Sequence, residues 1–182
     1  MTSDVSTPLL DHIVALEECH CAIPSFDIPH TYKGYHNTAP HETASRVTDA
    51  TIIITSRVLI TREILEQCSP SLRLVAVMAA GTDGMDIEAC HERGITVCNI
   101  PSASSEAVSE HAISLVLAVK RRVVEQHNVT KQGEEWPRAR TTIGRFGGLP
   151  RTWKRDVMGI IGYGALGELR HDCERAGLMG GR

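Results

Sequence analysis

The chain has 182 residues, 42% of them apolar, and 19 Lys plus Arg set against 22 Asp plus Glu give a formal charge of −3. This balance excludes a disordered chain, which lacks the apolar share, and a general nucleic-acid binder, which needs a basic excess to displace counterions from phosphate. No apolar run reaches the ~18 residues of a membrane span. The opening MTSDVSTPLLDH lacks the basic-then-apolar order of a secretory leader, and six scattered cysteines read as reduced thiols of a cytoplasmic protein.

In chain order, His12–Leu16 is a short apolar run of strand type, and residues 22–41, with Pro24, Pro29, Pro40 and Gly34, read as an extended connection. Ala50–Thr55 (ATIIIT) is β-branched and apolar throughout, as a strand covered on both faces requires. Thr61–Cys68 spaces Ile64, Leu65 and Cys68 along one helical face. Leu72–Met78 is a second buried strand, Asp86–Arg93 a short helix with an acidic start that Gly94 ends, and Ile95–Cys98 a further strand. Strands and helices alternating at this spacing predict parallel strands joined by crossover helices, an α/β architecture. Cys90 and Cys98 read as small apolar fillers.

A long helix is predicted from Ser104 to His127, capped by Ser104 or Ser105, with Val108, Ala112, Leu115, Val119 and Val123 along one stripe. Residues 128–155 read as a loop rich in Gly and Pro. Its seven cationic residues, Lys131, Arg138, Arg140, Arg145, Arg151, Lys154 and Arg155, suit a solvated connection, with a phosphate-facing role as the second reading.

Val157–Ile161 is then predicted as a strand leading straight into Gly162-Tyr-Gly164-Ala165-Leu166-Gly167, after which Leu166, Leu169, Cys173 and Ala176 continue one helical face. Glycines at this spacing, between strand and helix, fit a dinucleotide diphosphate. The first permits the tight turn, the second lets the backbone approach the anion, and the third lets helix pack on strand. The helix start adds free amides and a partial positive charge. The acidic residue that holds the adenosine ribose is expected about 20 positions on. From Gly162 that count reaches Arg182, and no acidic residue follows Glu174, so NAD and NADP both stay open.

Three stretches, in order, resemble the NAD-dependent D-isomer-specific 2-hydroxyacid dehydrogenase family, which includes glycerate and phosphoglycerate dehydrogenases. Ala79–Asp86 (AAGTDGMD) is similar to the family's substrate loop, Val97–His111 (VCNIPSASSEAVSEH) to its helix entry, and Asp156–Gly167 (DVMGIIGYGALG) to its dinucleotide fingerprint; Gly133-Glu-Glu-Trp136 matches a connecting-loop motif. The resemblance implies a flavodoxin-like parallel-sheet substrate domain over 1–103. The beginning of a Rossmann NAD-binding domain would follow over 104–182: linking helix 104–127, loop 128–155 and first strand-turn-helix 156–178. It implies hydride transfer between a nicotinamide cofactor and a small 2-hydroxy or 2-keto acid, with NAD as cofactor.

By the same resemblance, Ala80 and Gly81 hold the substrate carboxylate through backbone amides. Val108 approaches the nicotinamide, and Ala165 and Leu166 join Gly162, Gly164 and Gly167 at the diphosphate. Asn99 and Pro101 shape the loop before the long helix; that helix usually forms a dimer contact in full-length relatives, so exposure of Leu115 or Val119 is expected to promote self-association. The family's catalytic Arg, Glu and His lie downstream of the fingerprint, and His171 falls in the first Rossmann helix and does not replace the last of them. The chain alone is therefore expected to be inactive. A second reading makes it a non-catalytic relative acting by binding, or a remnant.

Two other clusters carry less. Glu110 and His111 are neighbours pointing ~100° apart on a helix, which suits structure better than acid–base work. Cys19-His20-Cys21 lacks the spacing of paired zinc ligands, and no metal is expected.

Overall fold

The computed structural model describes residues 10–20, 22–149, 152 and 157–168. The chain forms two compact units, Met1–Ala103 and Ser104–Arg182.

The first unit is a five-stranded, wholly parallel sheet ordered β2-β1-β3-β4-β5, with β1 at Asp11–Ala15, β2 at His30–Gly34, β3 at Ile52–Thr55, β4 at Leu74–Val77 and β5 at Thr96–Asn99. This is the flavodoxin-like order, in which the chain runs outward to β2 and reverses between β1 and β3. Helices α1 (Thr43–Val47), α2 (Arg62–Gln67) and α3 (Ile87–Glu92) send Val47, Leu65, Ala89 and Cys90 into one core cluster with Val14, Leu16, Ile53, Val75 and Val77. The opposite sheet face buries Ile13, Ala15, Ile52 and Ile54 against Ile23 and Phe26 of the 22–29 loop. All four residues of β3 are buried, which is why that segment carries no polar alternation. The Asp86 carboxylate accepts the Ala89 amide at 2.8 Å and caps α3, and Gly94 leaves the helix at φ +68°.

Three expectations need correction in this unit. Residues 30–34, read as part of an extended connection, form β2. Its amides and carbonyls are satisfied by register pairing with β1, Asp11 opposite His30 through Ala15 opposite Gly34, a long-range partnership that local composition does not reveal. A short 3₁₀ turn at Pro40–Glu42 begins at the end of the 22–41 stretch read as a connection and leads into α1, a helix the sequence reading did not identify. Cys98 is exposed, not a core filler: alternation along edge strand β5 turns Val97 to the helix-covered core and Cys98 away from it.

The second unit contains α4 (Ser105–Lys120), α5 (Val123–Gln132) and α6 (Glu135–Ala139), with a 3₁₀ turn at Ile143–Phe146. The helix expected over 104–127 breaks at Arg122, which adopts a left-handed φ of 52°. The Arg121 carbonyl is taken by the Gln126 side-chain amide at 3.1 Å, so the break is bonded locally. Only Ser109 of α4 is buried, and Val108, Leu115 and Val119 are exposed, so no packed stripe holds the two segments in one helical register. The 128–155 stretch is correspondingly less loop than expected. One of the expected cations is engaged within it, Arg145 with Glu135, and Arg122, from the helix break before it, stacks on Phe146. Arg151, Lys154 and Arg155 lie outside the described residues.

Val157–Ile161, expected as the first Rossmann strand, forms no strand, and Val157 and Ile161 stand 97% and 105% exposed. A strand exists only through ladder bonds to a neighbour, and no other strand of this unit occurs among the described residues. The helix that follows is described only to residue 168, so Leu169, His171, Cys173 and Ala176 lie outside the described residues.

Candidate active site

In a parallel sheet every strand ends at the same edge, and ligands bind outside the carboxyl ends, at the point where the strand order reverses. Here that edge is built from the segments after β1, β3, β4 and β5.

After β4 the chain passes through Ala79, Ala80, Gly81, Thr82 and Asp83, with Ala80 and Gly81 both exposed. The Ile100 amide donates to the Ala79 carbonyl at 3.1 Å, and the Asn99 side-chain amide donates to the Ala80 carbonyl at 2.7 Å. Both carbonyls are thus tied back toward the end of β5. The amides of Ala80, Gly81, Thr82 and Asp83 make no hydrogen bond among the described residues. Consecutive unpaired amides beside a strand end form a concavity for an anion. A Cβ on Gly81 would meet an Asp83 carboxylate oxygen at 3.0 Å, so a side chain there crowds the loop. Asn99, assigned above only to shaping the following loop, is therefore a direct support of Ala80.

At the reversal point, the buried Glu17 carboxylate follows β1 and accepts three consecutive amides beyond β3: Ser56 at 2.9 Å, Arg57 at 2.6 Å and Val58 at 3.0 Å. Burial pushes this carboxyl upward, but the amides of Arg57, Ser56 and Val58, together with the charge of His20, hold it below its ordinary value of 4.5. The second carboxylate oxygen faces His20 Nε2 at 3.3 Å, and the Arg57 guanidinium lies against the same imidazole. A groove of about 280 Å³ beside this turn is lined by Glu17, Thr38, Arg57, Val58, Leu59 and Ile64. Sequence reasoning missed Glu17. Its one signal was an acidic residue placed directly after an apolar strand run.

His20 is thus occupied by Glu17 and Arg57, and no group of three or more His, Cys, Asp or Glu side chains able to hold a metal occurs among the described residues.

In the second unit, each glycine of the Gly162–Gly167 turn answers a different demand. Gly162 sits at φ +92°, where side chains are strained. A Cβ on Gly164 would meet nothing within 4 Å, so its backbone is open to close approach. A Cβ on Gly167 would fall 2.6 Å from the Gly162 carbonyl oxygen, so only hydrogen fits. Helical residues begin at Ala165, and the Glu168 amide reaches the Gly164 carbonyl at 3.0 Å. These residues suit a diphosphate: an open backbone at Gly164, a tight turn behind it, and a helix start in front. Buried Ser109 donates to the Leu166 carbonyl at 3.3 Å, which brings the turn of α4 carrying Val108 beside the fingerprint. Val108 itself is 46% exposed, so it is not committed to the packing of this unit.

Sheet order and strand-end loop together define a parallel α/β unit that precedes a glycine-rich turn in the chain. A family model described as D-isomer specific 2-hydroxyacid dehydrogenase, catalytic domain, matches residues 12–167, and the chain belongs to that family. It is 35% identical to a glycerate dehydrogenase of Methylorubrum extorquens over 153 residues, covering 84% of this chain and 48% of that protein. It is 33% identical to a hydroxypyruvate reductase of Blautia hydrogenotrophica over 131 residues, covering 72% and 40%. Among solved structures, the NAD-dependent formate dehydrogenase of Staphylococcus aureus in complex with NAD aligns at a TM-score of 0.71 with 21% identity, over 92% of this chain and 54% of that one. The chain spans about half the length or less of the relatives it matches.

Proposed function

We propose that this chain serves a nicotinamide-dependent oxidoreductase that interconverts a small D-2-hydroxy acid and its 2-keto acid. Residues 1–103 act as substrate domain, and residues from 104 onward begin the cofactor domain. The observation that carries the reading is the run of unpaired amides at Ala80–Asp83, held open by Asn99, at the carboxyl edge of a parallel sheet. Ala80 and Gly81 bind the substrate carboxylate there through backbone N–H groups. Gly162, Gly164, Ala165, Leu166 and Gly167 hold the cofactor diphosphate, and Val108 borders the nicotinamide. The nicotinamide, when bound, gives or takes the hydride. This chain's own residues bind, orient and exclude water.

NAD is the proposed cofactor. Solved relatives in complex with NAD, and one in complex with NADPH, support a nicotinamide, and the choice between the two falls to experiment. The exposed Leu115 and Val119 of α4 are proposed as a homodimer contact of the full-length protein.

Fluorescence titration of the purified chain with NADH and, separately, NADPH tests the reading. Saturable binding, stronger for NADH and weakened at least tenfold by Gly164→Ala, is expected. Absence of binding by either nucleotide contradicts it.

A further inference from the structure

A second cavity, of about 410 Å³, lies at the outer edge of the sheet, and its lining includes Glu18, Ile23, Pro24, Phe26, His30 and Tyr32. It is remote from the Ala80–Gly81 loop, since β1 and β3 stand between β2 and β4. Its floor follows from strand alternation: His30 and Tyr32 are two apart on β2 and share a face, while Lys33, the residue after Tyr32, turns away, its ammonium 5.3 Å from the Tyr35 ring. Phe26, from the loop over this face, closes the wall. Its ring is edge-on to His30 at 5.5 Å and tilted 38° to Tyr32 at 6.4 Å.

The acid is placed deliberately. Glu18 lies across β2 at Gly34, where any Cβ would strike the carboxylate at 2.0 Å. Tyr32 donates its hydroxyl to Glu18 Oε1 at 2.6 Å, and burial together with that carboxylate pushes the phenol pKa above its ordinary value, so it stays a donor. No Lys or Arg is paired with Glu18 among the described residues. His30 Nδ1 lies 2.7 Å from the Ile28 carbonyl, which only accepts, so in the neutral ring Nε2 is left as an acceptor.

Two aromatic faces, an unpaired carboxylate oxygen and an imidazole acceptor all favour positive charge, and flat rings favour a flat cation. The same unit shows the pairing already: the Arg46 guanidinium stacks 4.0 Å from the Tyr35 centroid. We propose that the Glu18–Phe26–His30–Tyr32 cavity is a binding site for a small guanidinium compound, its planar head against Phe26 and Tyr32 and its N–H groups on Glu18.

The test is a proton NMR titration of the full chain with butylguanidinium, run beside butylurea, which has the same shape and no charge. With 2 Phe and 3 Tyr in the chain, the Phe26 and Tyr32 rings are readily assigned by substitution. Saturable shifts of both rings, with a Kd on the order of 1 mM, are expected. Butylurea should bind about tenfold more weakly, as should butylguanidinium to Glu18→Gln, because a charge-assisted contact is lost. Phe26→Leu, which keeps an apolar cover over the sheet face but removes the ring, should weaken binding about threefold. Non-saturating shifts, or equal shifts from butylurea, overturn the proposal on the native chain alone, even if a variant fails to fold. Undiminished binding to a folded Glu18→Gln variant also overturns it.

Discussion

The side-chain amide of Asn99 donates to the carbonyl of Ala80 at 2.7 Å, linking the end of β5 to the loop after β4. Because that carbonyl is held, the Ala80 and Gly81 amides keep one direction. Asn99→Ala removes the link at an exposed position, so the melting temperature should change little. Affinity for glyoxylate should fall roughly five- to tenfold, the range expected for one lost hydrogen bond. Amide shifts of residues 80–83 during a glyoxylate titration measure it, and unchanged affinity would remove Asn99 from the proposed site.

The fingerprint glycines should separate. Gly164→Ala meets open space and should leave stability intact while blocking nucleotide approach. Gly167→Ala places a Cβ 2.6 Å from the Gly162 carbonyl and should cost about 1–3 kcal/mol of stability locally as well as NADH binding. Melting curves alongside NADH titrations distinguish the two. Equal behaviour would contradict the packing described here.

Glu17 predicts a pH dependence. Its carboxyl titrates below its ordinary value of 4.5 in the folded chain, so its stabilising contribution is complete above that value and is lost as pH falls through the lowered one. Glu17→Gln should destabilise by about 2–3 kcal/mol, because three amides lose a charged acceptor. It should also flatten the acid limb of the stability profile. Chemical denaturation between pH 3 and 7 gives the readout, and a variant with an unchanged acid limb would remove Glu17 as its source.

Leu115→Glu combined with Val119→Glu alters residues 53% and 76% exposed, so the helical content of the chain should be unchanged. Sedimentation velocity should show weaker self-association than the parent chain. Loss of folding instead would mean that the stripe packs within its own unit.

Much of the first unit was legible in advance because its strands announce themselves. Ala50–Thr55 and Leu72–Met78 lack polar alternation, as strands covered on both faces must, and Asp86 and Gly94 bracket α3 with its own capping chemistry. The fingerprint was legible for the same reason: each glycine meets a steric demand only glycine satisfies. β2 was not, since His30–Gly34 is held by pairing with a strand about 20 residues earlier and carries no apolar pattern of its own. The break at Arg122 was equally hidden, because Arg-Arg is good helix sequence and the interruption depends on which face finds a packing partner.

Local sequence therefore determined the parallel α/β character of the first unit, the glycine turn and the strand-end loop, because propensity, capping and backbone sterics act over a few residues. Tertiary structure alone decided that Glu17 would bridge to Ser56–Val58, that Asn99 would brace Ala80, and that Glu18 would meet Phe26 and Tyr32 at the sheet edge. These partners are brought together by strand order and register, which are settled by burying both faces of the sheet at once rather than by any one segment.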